Sequence, residues 1–167
     1  GNAIYHNVRY SFRYSDKVYL GLTAEKDAGE PFFAGCNKKG YDYYSPYLLI
    51  KNMGRIHALA LGNYRLNYGY GLVMNTDFGL GKTATLSSIG NRANGIKKHS
   101  STDEYNYFQG IAGSIYLTDR LTMDAFYSYR TMDGIVDNSF ITSIKEDGYH
   151  RLPKDLEKKN TFSNQLI

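Results

Sequence analysis

Between Arg55 and Tyr68 the chain reads RIHALALGNYRLNY, with Ile56, Ala58, Ala60, Tyr64, Leu66 and Tyr68 on one side and His57, Leu59, Leu61, Asn63, Arg65 and Asn67 on the other. A period of two is the pleat of a β-strand. The first set is apolar and aromatic, while the second turns polar toward the C-terminal half. Strands of globular proteins run about 5–6 residues and membrane-spanning strands about 9–11. Uninterrupted alternation of this length therefore points to a large curved sheet or a barrel rather than a small sandwich. Gly62, Gly69, Gly71 and Gly79 stand where such a strand must bend, bulge or admit another backbone.

The same rhythm surrounds this strand. Residues 5–15 place His6, Val8, Tyr10, Phe12 and Tyr14 opposite Asn7, Arg9, Ser11, Arg13 and Ser15, and after a turn at Asp16-Lys17 residues 18–24 return with Val18, Leu20, Leu22 and Ala24 on one face. These two segments form a hairpin. Residues 25–40 are charged and punctuated by Gly29, Pro31, Gly35 and Gly40, which marks a loop. Residues 41–51 read as a strand in which Pro46, lacking an N–H, marks an edge, a bulge or an unbonded position. Further strands fall at 107–117, 121–130 and within 137–145. Residues 84–106 show no clear alternation, with room for one helical turn near 83–88, and PKDLEKK at 153–159 carries the marks of a short helix over 154–159. With Gly1 rather than Met at the start and SNQLI at the end resembling a strand just beginning, the expectation is one β domain over 1–167, an internal piece of a larger barrel protein.

Composition agrees with the β reading. The chain has 17 Tyr and 8 Phe but no Trp, and 17 Gly against 3 Pro, which suits turns and bends more than helices. A net charge of +4, with 16 acids interleaved among 20 bases, implies only a mild attraction to polyanions. The lone Cys36 excludes an internal disulfide. No run of 18 apolar residues occurs, which excludes a membrane-spanning helix and leaves a membrane-spanning barrel open. An apolar, tyrosine-rich face opposite a polar, charged one fits a sheet packed on a core. It fits equally a barrel with lipid outside and water within. Tyr14, Tyr41, Tyr43, Tyr68, Tyr70, Tyr107, Tyr127 and Tyr129 fall near strand ends, where aromatic girdles sit.

Motifs that carry chemistry are sparse. FGLGKT at 78–83 lacks the glycine that a phosphate-binding loop needs five positions before Gly81, where Thr76 stands, so it reads as a strand-end corner. His6, His57, His99 and His150 form no ligand pair, no metal or other cofactor is implied, and no nucleophile elbow or carboxylate pair can be placed. The chain is accordingly read as a non-enzyme. The segment GYHRLPKDLEKK, with His150 and Arg151, reads as a structural plug or loop. The best polyanion candidates are Lys82, Arg92, Lys97 and Lys98 beside His99, with Tyr105 and Tyr107 following. Lysine and arginine neutralise phosphates, and tyrosine rings stack on unpaired bases. Arg9, Arg13 and Arg65 fall on the polar faces and would line a lumen.

Seven strings, LTAEKDAGEPF (22–32), YDYYSPYL (41–48), ALALGNYRLNYGYGLVM (58–74), FGLGK (78–82), SSTDEYNYFQG (100–110), LTMDAFYSYRTMDG (121–134) and GYHRLPKDLEKKN (148–160), occur in one order. Together they resemble the large β-rich, outer-membrane-like proteins of Bacteroidetes that carry helix-hairpin-helix repeats in their N-terminal part and bear DNA-uptake or competence labels. Gln109 stands where that family tends to have a base. The resemblance implies a barrel segment in the outer membrane, with lipid and the rest of a larger barrel as neighbours and nucleic acid as a partner. The alternative from the residues alone is a soluble β-module of the periplasm or cell surface that recognises a protein or glycan through its tyrosine-rich face.

Overall fold

The computed structural model describes residues 4–29, 33, 40–71, 73–76, 95–132, 134–137, 140–144 and 162–166. These form an all-β, antiparallel architecture. The strands are β1 (His6–Tyr14), β2 (Val18–Lys26), β3 (Tyr43–Met53), β4 (Ile56–Tyr68), β5 (Met74–Asn75), β6 (Gly95–Lys98), β7 (Phe108–Thr118), β8 (Leu121–Met132), β9 (Gly134–Asp137), β10 (Phe140–Ile144) and β11 (Phe162–Leu166). The main sheet runs β1-β2-β3-β4-β7-β8-β11, β9 and β10 pair separately, and among the described residues β1 and β11 are open edges. The long alternations of the sequence become the long strands. The helix expected at 154–159, the turn at 83–88 and the FGLGKT corner lie outside the described residues.

Three of the connections are tight and lie at one end of the sheet: Ser15–Lys17 between β1 and β2, Gly54–Arg55 between β3 and β4, and Asp119–Arg120 between β7 and β8. The connections at the opposite end are long, spanning 27–42, 69–107 and 133–161. The sheet thus has a short-turn end and a long-loop end.

Directly opposed residues of an antiparallel pair share a face, so the register assigns the faces. One cross-strand row is Phe12, Leu20, Leu48, Leu61, Ile111 and Tyr127, running through β1, β2, β3, β4, β7 and β8. The next row on that face is Tyr14, Val18, Ile50, Leu59, Gly113 and Ala125. Neither row holds a charge, and Phe12, Tyr14, Leu20, Leu61, Ile111 and Tyr127 are all exposed. The opposite face carries the rows Arg13, Tyr19, Leu49, Ala60, Ala112, Phe126 and Ser11, Gly21, Tyr47, Gly62, Gly110, Ser128. Here lies the core: Leu49, Ala58, Ala60, Tyr64, Leu66, Ile96 and Ala112 pack together, flanked by Tyr19, Phe108 and Phe126, with Thr23, Ser45 and Ser114 buried on the same side. Large apolar side chains thus lie on both faces, exposed on the first and packed with small and polar residues on the second.

The glycine row marks where neighbouring backbones approach most closely. Gly62 (φ 85°) and Gly110 (φ 151°) oppose each other in β4 and β7, and a Cβ on either would fall 2.5 Å from the Pro46 carbonyl oxygen or 2.3 Å from that of Tyr127. Glycine kinks of this kind let a sheet bend. Beyond Tyr47↔Gly62 the β3/β4 ladder stops, since Pro46 has no N–H to give, although β2 still pairs with β3 at Leu22↔Pro46. The vacated edge of β4 is taken by β6, with Tyr64↔Lys98 and Asn67↔Gly95, while Phe108 and then β5 occupy the other edge. Lys97 and Lys98, expected in a loop, therefore lie on a short strand. Four residues are too few to display alternation, and β6 is held by its pairing with β4 rather than by its own pattern.

Candidate functional site

The departure of β3 from β4 opens room at the long-loop end, and a polar and aromatic cluster fills it. His99, directly after β6, is fully buried, and its N–H donates to the Asn63 carbonyl (3.2 Å). Arg65 Nε–H donates to His99 Nδ1 (3.0 Å), which places the imidazole proton on Nε2, where the Asp103 carbonyl (3.0 Å) and the Tyr43 hydroxyl (3.1 Å) face it. The His99 ring stacks on Tyr107 at 4.8 Å, and Tyr43 packs edge-on to Tyr107 at 6.1 Å. Burial, together with the Arg65 charge, pushes the His99 pKa down to about 4, so the ring is neutral at physiological pH. Desolvation alone would raise the Asp103 carboxyl. Donation by the backbone N–H groups of Tyr105 (2.9 Å) and Asn106 (3.1 Å) and by Asn106 Nδ2 (3.0 Å) outweighs it and holds the pKa below the usual range.

Beside this cluster opens a pocket of ≈ 190 Å³ lined by Thr76, Tyr105, Asn106, Tyr107, Phe108, Ser128, Arg130 and Met132. Arg130 is only 8% exposed and donates through one terminal nitrogen to the Tyr107 carbonyl (2.9 Å). Its guanidinium carbon lies 4.5 Å from the Tyr107 ring centre and 5.9 Å from that of Tyr105.

The fold brings some of the sequence candidates together. Arg65, Lys97, Lys98, Tyr105 and Tyr107 gather at the long-loop end. The Lys98 ammonium sits 5.4 Å from the ring centres of both Tyr19 and Tyr47 on the inner face. Tyr107, read from sequence as a stacking platform for bases, is engaged by His99 and Arg130. Arg9 and Arg13 are on the inner-face register opposite Thr23 and Tyr19, exposed, and away from the cluster, with Arg13 reaching Asp16 at 3.8 Å. Lys82 and Arg92 lie outside the described residues. Of the tyrosines expected at strand ends, Tyr14, Tyr127 and Tyr129 are exposed, whereas Tyr43 is buried in the cluster.

Sequence reading missed Tyr43, Asp103 and Arg130 as parts of one site. Asp103 did have a signal: Asp followed two and three residues later by the N–H groups it binds is an Asx-type turn. Arg130 had none, because its surroundings come from segments distant in sequence. Comparison with protein-family models, with characterised proteins and with solved structures finds no match for this chain.

Proposed function

We propose that this chain is a segment of a bacterial outer-membrane-type β-barrel, the face that bears its exposed apolar rows turned to lipid and its long loops gathered at one rim. The observation that carries this reading is the apolar row from Phe12 to Tyr127, which crosses six neighbouring strands of the sheet with five of its six residues exposed and Leu48 half-buried. Soluble monomers rarely expose contiguous apolar patches beyond a few hundred Å². Membrane barrels present such a band by design, alternate it with a polar interior, and join their strands by short turns on one side and long loops on the other. Strands of 9 to 13 residues in β1–β4 suit the span.

By the resemblance drawn from the sequence, the cargo is an anionic polymer, DNA. Support for an anionic cargo comes from Arg9 and Arg13 on the inner register and from Arg65, Lys97 and Lys98 near the long-loop rim.

The test is reconstitution of the purified chain. It should need detergent or lipid to remain monodisperse, and it should insert into preformed vesicles with its strands protected from protease. A monodisperse, detergent-free monomer that ignores vesicles refutes the membrane reading and leaves the soluble binding module.

A further inference from the structure

We infer that the pocket around Arg130 is a binding site for an oxyanion, a phosphate or carboxylate group borne on a compact, ring-containing body. Arg130 is more than nine-tenths buried and lines the cavity. Among the described residues no carboxylate reaches its guanidinium, whose contacts are one carbonyl and two tyrosine faces. An arginine carries five N–H donors in a planar fork and cannot shed its proton. Only one nitrogen is used on the Tyr107 carbonyl. A buried charge is costly unless a counter-ion and hydrogen bonds complete it, and π-faces supply only part of that. The group that completes it is a two-oxygen anion, because the fork matches carboxylate and phosphate oxygens in bidentate fashion.

The remaining lining narrows the ligand further. Tyr105, Tyr107, Phe108 and Met132 offer flat and apolar surface, while Asn106 and Ser128 add polar atoms at the wall. The cavity is below the roughly 300–1,000 Å³ of pockets for drug-sized ligands. It therefore takes one terminal group or one unit of a chain rather than a polymer. Nothing in this site depends on what meets the outer face, so it stands or falls apart from the membrane reading.

The experiment is titration of the full chain, in the medium that keeps it monodisperse and in chloride-poor buffer, with three probes: inorganic phosphate, thymidine monophosphate and glucuronate. At least one should bind wild type at least tenfold more tightly than R130Q, with R130K intermediate because it keeps the charge and loses the fork. Preference for the nucleotide over both others assigns a phosphate ester on a base-bearing sugar, preference for glucuronate assigns an acidic sugar, and phosphate alone assigns a free anion. Equal, weak binding of all three probes to wild type and R130Q overturns the inference. R130Q places a neutral donor of similar length in the pocket. Should it fail to fold, Met132→Trp, at a partly exposed position of the lining where added bulk fills the cavity without touching the charge, replaces it and should block binding of the probes. Binding unaffected by M132W likewise overturns the inference.

Discussion

Substituting Gly62 by alanine tests the hand-over of the β4 edge from β3 to β6. Two separate costs follow from the structure. The residue has φ 85°, a region that costs a non-glycine residue about 1–2 kcal/mol. In addition, the new Cβ would lie 2.5 Å from the Pro46 carbonyl oxygen and 3.2 Å from its carbon, against backbone that cannot swing aside as a flexible side chain does. Restoring ordinary contact requires β3 to move by close to an ångström, an overpacking cost of about 1–3 kcal/mol. The total is about 2–5 kcal/mol. Gly54→Ala is the internal control, since Gly54 has φ 60° but nothing within 4 Å of a built Cβ, so only the first cost applies. Urea unfolding of both variants, in whichever medium keeps the wild type folded, reads the difference. G62A should be the more destabilised by about 1–3 kcal/mol, with faster amide exchange at β6 and at His99, whose N–H binds the Asn63 carbonyl beside the kink. Equal destabilisation of the two variants would show that β3 and β4 do not approach at Pro46 as described.

Ile111, in the middle of the outward row, should cost about 2–4 kcal/mol as I111R when folding is measured into bilayers, and next to nothing if that face meets water. His99 makes stability depend on pH. Its folded pKa of about 4 lies below the ordinary 6.5, so the unfolded chain takes up a proton first, and stability falls as pH drops from near 6.5 to near 4, by about 3 kcal/mol at full extent. Asp103, depressed below 3.8, adds loss of the same sign only at lower pH. H99Q should flatten the upper window in denaturant titrations at successive pH values; an unchanged slope sinks the neutral-imidazole assignment. If single-stranded DNA is bound at the long-loop end, K97A with K98A should reduce the salt slope, log K against log salt, by roughly 1.4, the value for two phosphates at about 0.7 each. An unchanged slope removes these lysines from any phosphate contact.

How far the sequence could lead is visible at particular residues. Strict alternation at Val8, Tyr10, Phe12 and Tyr14 and at Leu20 and Leu22 marked both strands and faces, because pleating alone sets that pattern. Pro46 announced an interruption in a ladder, and that is where β3 and β4 part. What alternation does not convey is direction. The two-faced strands left open which side was covered, and only the register across β1 to β8, with the burial of Ala60 and Ala112 against the exposure of Leu61 and Ile111, tells the packed face from the exposed apolar one. The site was less legible. β6 is too short to show a period, and Tyr43, His99 and Arg130 meet only because strands far apart in sequence become neighbours or face one another. Tyrosines read as one group by position near strand ends divide by the parity of their place in the strand, Tyr127 outward and Tyr43 inward.

The breaks in the regular pattern and the candidate site have one cause. Had Pro46 been a residue able to donate and Gly62 one with a Cβ, β3 could have followed β4 to its end, and β6 would have no edge to join. His99 would then lose the Asn63 carbonyl, and the imidazole that stacks on Tyr107 would lose its anchor. Tyr107 in turn accepts Arg130 through its carbonyl and its ring, and so shapes the pocket wall. A kink in the sheet is thus transmitted through three contacts to a buried cation at the long-loop end. Strain at Gly62 should therefore be felt at Arg130. G62A, if folded, should weaken binding of whichever oxyanion probe the wild type prefers, whereas G54A, equally strained in φ but at the short-turn end, should leave it untouched. Loss of binding in both variants would mean global loosening rather than this chain of contacts, and loss in neither would mean that the pocket does not depend on the departure of β3.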